Sequence, residues 1–109
     1  MKLAFATFAG LAFVVSGAAH AALDNAQAEA LMKKYACAAC HSIDKKIVGP
    51  AYVDVAAKYK SDKNAVEMLS KKVKEGSTGV WGPIPMPPNA TVPAADVKEI
   101  VTWILTLKK

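Results

Sequence analysis

The sequence contains no arginine, and all 14 of its basic residues are lysine. Arginine is the side chain that reads phosphates and base edges through two parallel hydrogen bonds, so its absence argues against nucleic-acid binding. The basic excess is modest, with a formal net charge of +5 at pH 7. Such a lysine surface suits docking on an acidic protein face, and it is also typical of an ordinary solvated surface.

Strand-like patterns are lacking as well, because no segment alternates convincingly between apolar and polar residues. There is no internal repeat, and the 109 residues are enough for one domain. The two cysteines, Cys37 and Cys40, stand only three positions apart. A disulfide between them would close so small a loop that it would restrain little of the unfolded chain. We therefore expect an all-α domain that is stabilised by something other than a disulfide.

The N-terminal segment has three features of an export signal. Lys2 gives a positive start, residues 3–15 are almost wholly apolar, and a small-x-small site ends at Ala21. The apolar run is shorter than the ~20 residues of a membrane-spanning helix, which favours a cleaved signal over an anchor. We predict a signal peptide over residues 1–21 and one exported domain over residues 22–109, with no membrane span after cleavage. Its 13 lysines and 9 acidic residues give a formal net charge of +4.

Helical periodicity is clearest at the two ends of that domain. Asp24 followed by Gln27 has the spacing of a capping box, which predicts a first helix that ends near Cys37. A last helix is predicted to start near Pro93, and a short second helix over residues 51–59. The apolar stripes of the first and last helices are Ala28, Leu31, Met32 and Tyr35, and Val97, Ile100, Val101, Ile104 and Leu105.

A third helix and a long loop complete the pattern. Asp62 can cap the helix, Gly76 can end it, and Glu67 with Lys71 has the spacing of an ion pair on its outer face. Its apolar side is Val66, Leu69 and Val73. Residues 76–92 are rich in glycine and proline and are predicted to be non-helical. A loop this long in so small a domain usually carries function.

The segment Cys37-Ala38-Ala39-Cys40-His41 is the attachment signature of c-type haem. Its spacing follows from chemistry, because two thiols three positions apart can each add to one of two neighbouring haem vinyl groups. The next residue, His41, can then place an imidazole nitrogen on one axial face of the iron. The motif predicts one haem c, bound covalently through Cys37 and Cys40.

Other interpretations of the cysteine pair fit less well. A thioredoxin-like redox pair requires a βαβ context, and no strand is predicted here. A structural zinc site requires four ligands, whereas two cysteines and one histidine supply only three.

A second axial ligand can come from three methionines of the domain, with lysine as a more distant alternative. Met32 and Met68 lie in predicted helices, where core packing is the usual role of methionine. Met86 lies between prolines, which fix the backbone dihedral φ and hold the preceding residue out of the helical region. A stiff, extended stretch suits a ligand whose sulfur must not wander. We predict His41 and Met86 as the metal ligands.

The sequence resembles a known family, the small class I bacterial cytochromes c that feed periplasmic nitrite reductases and terminal oxidases. Three motifs in the same order carry the resemblance across the whole predicted domain. They are Cys37-Ala38-Ala39-Cys40-His41, Val48-Gly49-Pro50, and Trp81-Gly82-Pro83-Ile84-Pro85-Met86-Pro87-Pro88-Asn89. The resemblance implies a class I cytochrome c fold, about four helices wrapped around one covalently bound haem, with the first and last helices crossing.

The resemblance also implies roles for three further cofactor-binding residues. The Pro50 carbonyl is expected to accept a hydrogen bond from the far nitrogen of His41, which orients a ligating imidazole. Trp81 is expected to pack near the haem, with its indole N–H on a propionate, and Asn89 to donate to the sulfur of Met86. Taken alone, the residues leave open a core tryptophan and a turn asparagine.

The function implied is that of a periplasmic single-electron carrier and not of an enzyme, because both axial positions would be filled by protein. Expected partners are redox proteins with acidic docking surfaces. A quinol-oxidising complex would be the donor, and a nitrite reductase, terminal oxidase or peroxidase the acceptor. Four lysines near the attachment motif can ring the haem edge: Lys33, Lys34, Lys45 and Lys46. The alternative is an open-site haem of the peroxidase or gas-binding kind, which requires Met86 to be absent from the iron or labile.

Overall fold

The computed structural model describes residue 10 and residues 23–109. The described part contains four α-helices, one 3₁₀ helix and two isolated bridges, and no strand. The helices are α1 (Asn25–Lys34), α2 (Tyr52–Tyr59), α3 (Ala65–Glu75) and α4 (Ala94–Leu105), and the 3₁₀ helix is Cys37–Ala39. The prediction of an all-α fold is confirmed. The predicted signal peptide, apart from residue 10, lies outside the described residues. No helix in the described ranges is long and apolar enough to cross a membrane.

The start of α1 follows the predicted capping box. The Asp24 carboxylate accepts from the Gln27 backbone N–H at 2.7 Å, and the Gln27 side chain accepts from the Asp24 N–H at 3.1 Å. The helix ends at Lys34, three residues before the predicted end. The reason is Ala36, whose φ of 61° is left-handed and cannot continue a right-handed helix. The chain then enters the 3₁₀ helix at Cys37.

Two details predicted for α3 are wrong. Asp62 does not cap the helix, which begins at Ala65; its carboxylate accepts from the Asn64 N–H at 2.8 Å and closes the preceding turn. Glu67 and Lys71 form no ion pair, and within residues 23–109 the ion pair present joins Lys109 to Asp54. An exposed pair gains little in water, so its charges are readily left solvated. The predicted stop is confirmed, because α3 ends at Gly76.

The core is divided between two clusters that share α4. In one, Ile100, Trp103 and Ile104 pack with residues of α1 and α2, and in the other Val97 and Val101 pack with Val92. Burial of each such side chain contributes about 1.5–3 kcal/mol. Together they confirm the predicted apolar stripe of the last helix, except that Leu105 is only half-buried.

The first and last helices are joined at both ends. The indole N–H of Trp103, near the end of α4, donates to Asn25 Oδ1 at the start of α1 over 3.1 Å. At the opposite end, the Tyr35 hydroxyl donates to the Asp96 carboxylate in the first turn of α4. The resemblance implies contact between the first and last helices, and these two hydrogen bonds place the start of α1 beside the end of α4 and the end of α1 beside the start of α4.

Candidate functional site

A cavity of about 430 Å³ lies inside the helices and is closed on one side by residues 76–92. Its volume is within the range of small-molecule and cofactor sites. All seven residues predicted to bind a cofactor line it: Cys37, Cys40, His41, Pro50, Trp81, Met86 and Asn89. Much of the remaining wall is aliphatic and is formed by Val55, Leu69, Val97, Ile100, Val101 and Ile104. The structure therefore brings together the seven predicted residues, which are up to 52 positions apart in the sequence.

The 3₁₀ helix and the residues directly after it place the two thiols and the histidine on the wall of the cavity. The backbone N–H groups of Cys40 and His41 both donate to the Cys37 carbonyl, at 3.1 and 3.0 Å. Both cysteines are free thiols and are half-buried. Burial raises the pKa of the Cys37 thiol, so the neutral form is favoured until it reacts.

His41 is oriented by a backbone acceptor. Its Nδ1 lies 2.8 Å from the Pro50 carbonyl oxygen, which can only accept a hydrogen bond. Nδ1 is therefore the protonated nitrogen, and Nε2 keeps its lone pair for a metal. This is the contact that the resemblance implies for Pro50.

Tyr52 supports the same imidazole, a role that the sequence did not reveal. Its ring stacks on His41 with centroids 5.0 Å apart and an interplanar angle of 18°, and Trp103 meets it edge-on at 6.2 Å. Burial, and then the two nearby thiols, raise the pKa of Tyr52 well above its usual range. The only available signal was its position two residues after Pro50, at the start of α2.

Gly49 provides the space in which the His41 ring lies. A Cβ at this position would be 2.5 Å from Cε1 and 2.9 Å from Nδ1 of the imidazole. The Gly49 backbone is fixed as well, because its N–H donates to the Cys40 carbonyl at 2.8 Å. A side chain here would fill the cradle of the imidazole.

The backbone of Met86 is fixed by an isolated antiparallel bridge across the loop. Ser77 and Met86 exchange two backbone hydrogen bonds, of 3.1 and 2.8 Å. The close approach requires glycine at position 76, where φ is 85° and a Cβ would lie 2.8 Å from the Met86 carbonyl oxygen. Met32 is buried in the core and Met68 packs against it. Of the methionines in residues 23–109, Met86 alone lines the cavity.

Asn89 anchors the loop to α3 instead of donating to the sulfur of Met86. Its backbone N–H and its side-chain Nδ2 both donate to the Val73 carbonyl, at 3.0 and 3.2 Å. Nδ2 also donates to the Pro87 carbonyl at 3.1 Å. The side-chain amide is thus engaged by backbone acceptors, and in this geometry the predicted sulfur contact is not made.

Trp81 lies at the mouth of the cavity and is not a core aromatic, since 39% of it is exposed. The Lys58 ammonium lies 5.7 Å from its ring centroid, within the range of a cation–π interaction. This contact joins α2 to the loop that carries Met86.

The ligating atoms that line the cavity indicate which prosthetic group fits it. One imidazole nitrogen, one thioether and two free thiols face an apolar space, which suits a covalently attached haem. A closed zinc site does not fit, because no group of three or more histidine, cysteine or acidic side chains forms within the described residues.

Comparison with known proteins identifies the family. The family model for cytochrome c matches residues 25–108. Cytochrome c-552 of Nitrosomonas europaea is 50% identical over 109 residues, covering 99% of this chain and 100% of that protein. Cytochrome c-551 of Pseudomonas aeruginosa is 51% identical over 80 residues, covering 73% of this chain and 76% of that protein.

Solved structures agree with the sequence comparison. The crystal structure of wild-type Nitrosomonas europaea cytochrome c552 superposes with a TM-score of 0.71 and 54% identity, covering 73% of this chain and 99% of that one. The class 1 cytochrome MtoD of Sideroxydans lithotrophicus superposes with a TM-score of 0.62 and 30% identity, covering 75% of this chain and 94% of that one. The chain therefore belongs to the cytochrome c family, and it is a small monohaem electron carrier that binds one haem c covalently.

Proposed function

We propose that this protein is a periplasmic single-electron carrier whose haem iron is held between Nε2 of His41 and the sulfur of Met86. One observation carries the proposal: Met86 lines the same apolar cavity as Cys37, Cys40 and His41, although it is distant from them in sequence. When bound, the haem supplies a one-electron iron couple. The chain itself holds the two ligands and provides the surface on which partners dock.

The two ligands are supported by the chain in ways that suit electron transfer. His41 keeps its orientation through Pro50 and Tyr52, and the Met86 backbone is fixed by Ser77. Little movement is then needed when the iron changes oxidation state. A thioether ligand favours the ferrous state and raises the reduction potential relative to a second imidazole. With both axial positions taken by protein, no substrate reaches the iron, and the protein has no catalytic reaction of its own.

Export to the periplasm is supported by the segment 1–21. It combines a basic start, an apolar run and a small-x-small site. The full-length relative from Nitrosomonas europaea matches 99% of this chain, whereas the crystallised cytochrome c552 from the same organism covers 73% of it. The difference has the size expected for removal of a leader.

Docking on acidic redox partners is supported by the surface near the cavity. Ile47, Val48 and Ile84 line the cavity and are 53%, 46% and 64% exposed. Lys45 and Lys46 adjoin this apolar area in the sequence, and Lys46 lines the cavity. An apolar contact area beside lysines fits a partner with an apolar centre and an acidic rim. Partners of this kind are quinol-oxidising complexes as donors, and nitrite reductases, terminal oxidases or peroxidases as acceptors.

The test is spectroscopy and mass analysis of the protein isolated from periplasmic extract. Its intact mass after acid–acetone extraction should equal residues 22–109 plus one haem. The oxidised protein should show a low-spin spectrum with a weak near-infrared sulfur-to-iron band, and the reduced protein should bind carbon monoxide slowly. A mass equal to that of the bare chain would refute covalent attachment. A high-spin spectrum with rapid carbon monoxide binding would favour the open-site alternative.

A further inference from the structure

We propose that Lys74 is a positioning residue for Met86, because its ammonium group holds together the two ends of the loop that carries this ligand. The inference rests on the proposed ligation by Met86 and goes further, since it names what governs how readily the sulfur leaves the iron. Neither the spacing of the sequence nor its charge pattern distinguishes Lys74 from the other lysines of α3.

The position of Lys74 allows it to bridge the loop. It lies in the last turn of α3, two residues before Gly76, where the loop begins. Its Nζ donates to the Ala90 carbonyl at 2.7 Å and to the Val92 carbonyl at 2.5 Å, where the loop ends. One charged group on the last turn of α3 therefore holds the end of the segment 76–92 close to where that segment begins.

The ends that Lys74 joins are themselves well placed to transmit the restraint. Val92 is 6% exposed and packs with Val97 and Val101 of α4, so its carbonyl is held by the core. At the other end, Ser77 pairs directly with Met86 through two backbone hydrogen bonds. A shift at the base of the loop would therefore move the backbone of Met86.

The strength of the bridge comes from its charge. Hydrogen bonds from an ammonium group are shorter and about twice as strong as those between neutral partners. The lysine also lies at the C-terminal end of a helix, where a cation is favoured by the helix dipole. Asn89 provides a second, uncharged connection to α3 through the Val73 carbonyl. Loss of Lys74 should loosen the loop without releasing it completely.

The experiment measures the rate at which cyanide binds to the oxidised, haem-loaded protein, since cyanide must wait for Met86 to leave. Lys74→Leu removes the bridge, and Lys74→Arg restores a cation with several donors. Lys71→Leu is the matched control, because Lys71 is an exposed lysine of the same helix with no hydrogen bond to the loop. Tyr35→Phe controls for general destabilisation, because it removes the hydrogen bond to Asp96 at the α1–α4 contact.

We expect Lys74→Leu to bind cyanide about tenfold faster than the wild type, which corresponds to about 1.4 kcal/mol. One charge-assisted hydrogen bond can supply a difference of this size. Lys74→Arg should bind cyanide at close to the wild-type rate. The two controls, Lys71→Leu and Tyr35→Phe, should keep the wild-type rate. Lys74→Gln, which retains a donor but not the charge, should be intermediate and serves as the test if the leucine variant does not fold.

The outcomes separate this inference from the proposed ligation. If the wild-type protein lacks the near-infrared sulfur-to-iron band, the ligation by Met86 is wrong. If the band is present and Lys74→Leu, or Lys74→Gln in its place, binds cyanide at the wild-type rate, Lys74 does not position the ligand. An equal acceleration in Tyr35→Phe would show that general destabilisation is the cause and would also overturn the inference.

Discussion

The substitution Gly49→Ala should displace the imidazole of His41. The new Cβ would lie 2.5 Å from Cε1 and 2.9 Å from Nδ1, which is closer than non-bonded carbon atoms approach each other. The backbone cannot retreat easily, because the Gly49 N–H donates to the Cys40 carbonyl at 2.8 Å and its carbonyl accepts from Ile47 at 3.2 Å. The ring must therefore rotate or shift, although it is hydrogen-bonded to Pro50 and stacked on Tyr52.

The cost has two contributions. Inserting a methyl group into a packed site typically costs about 1–3 kcal/mol. Losing the hydrogen bond between Nδ1 of His41 and the Pro50 carbonyl adds about 1 kcal/mol. We expect the free energy of unfolding to fall by about 2–4 kcal/mol. That is a large part of the roughly 5–15 kcal/mol of a typical small domain.

The assay combines denaturant unfolding of the haem-loaded protein with proton NMR. In the wild type, the Nδ1 proton of His41 should exchange slowly with solvent, because it is donated to Pro50. In Gly49→Ala this exchange should become faster. Lys45→Ala is the control, because it alters an exposed side chain in the same segment and should change stability by less than about 0.5 kcal/mol. If Gly49→Ala matches this control in both measurements, the space needed by the imidazole is not the reason for glycine at position 49.

Three other perturbations test the site and the surface. Met86→Ala should lower the reduction potential, abolish the sulfur-to-iron band and allow rapid carbon monoxide binding. Met68→Leu should keep the band and lower the free energy of unfolding by less than about 1.5 kcal/mol. Loss of the band in the Met68 variant would show that the ligand is misassigned. Burial raises the pKa of the Tyr52 hydroxyl in the folded protein. The contribution of this buried hydroxyl to the free energy of unfolding is therefore complete below the ordinary tyrosine pKa of about 10, and it is lost as the pH rises further. Denaturant titrations should show this loss, and Tyr52→Phe should make it shallower. Electron-transfer rates with an acidic redox partner should fall as ionic strength rises, because salt screens the attraction; a flat dependence would contradict docking by lysines.

What could be predicted from the sequence is what short-range chemistry determines. The capping box at Asp24 and Gln27 and the glycine stop at position 76 involve residues within a few positions of each other, so their partners can be read directly from the chain. The attachment segment is equally local. The proline-flanked Met86 could be singled out because proline restricts the backbone regardless of what surrounds it.

Two of the misses arise where a short polar side chain can reach more than one hydrogen-bond partner. Asp62 has the composition of a helix cap, but its carboxylate closes the turn before the helix instead. Asn89 carries a donor that can reach either a sulfur or a carbonyl, and the spacing alone does not say which. In the structure Val73 and Pro87 take it, because the loop folds back along α3.

Tertiary contacts between residues with a ready alternative explanation were not predictable. Tyr52 reads as an ordinary core aromatic, and its stacking on His41 depends on how segment 42–51 returns to the histidine. Two hydrogen bonds set that return: the Tyr52 N–H donates to the Ser42 carbonyl at 3.0 Å, and the Val53 N–H to the Ile43 carbonyl at 3.0 Å. In the sequence, Lys74 looks like a solvated lysine. Only the structure shows that the end of the loop lies beside it.

The two ligands are supported in different ways, and this difference has a consequence for function. His41 is oriented by Gly49, Pro50 and Tyr52, all within eleven positions of it, so its geometry depends on one short segment. Met86 depends on the Ser77 pairing within its loop and on the connections of that loop to α3. The loop exposes Val80, Trp81 and Ile84, and a segment with few buried apolar contacts opens more easily than the core. Variants near His41 should therefore change stability and the electronic environment of the iron while leaving it closed. Variants at the base of the loop should instead change how often the iron is open. On the ligation proposed above, the hydrogen bonds at that base, Lys74 among them, should set how often the iron opens to external ligands.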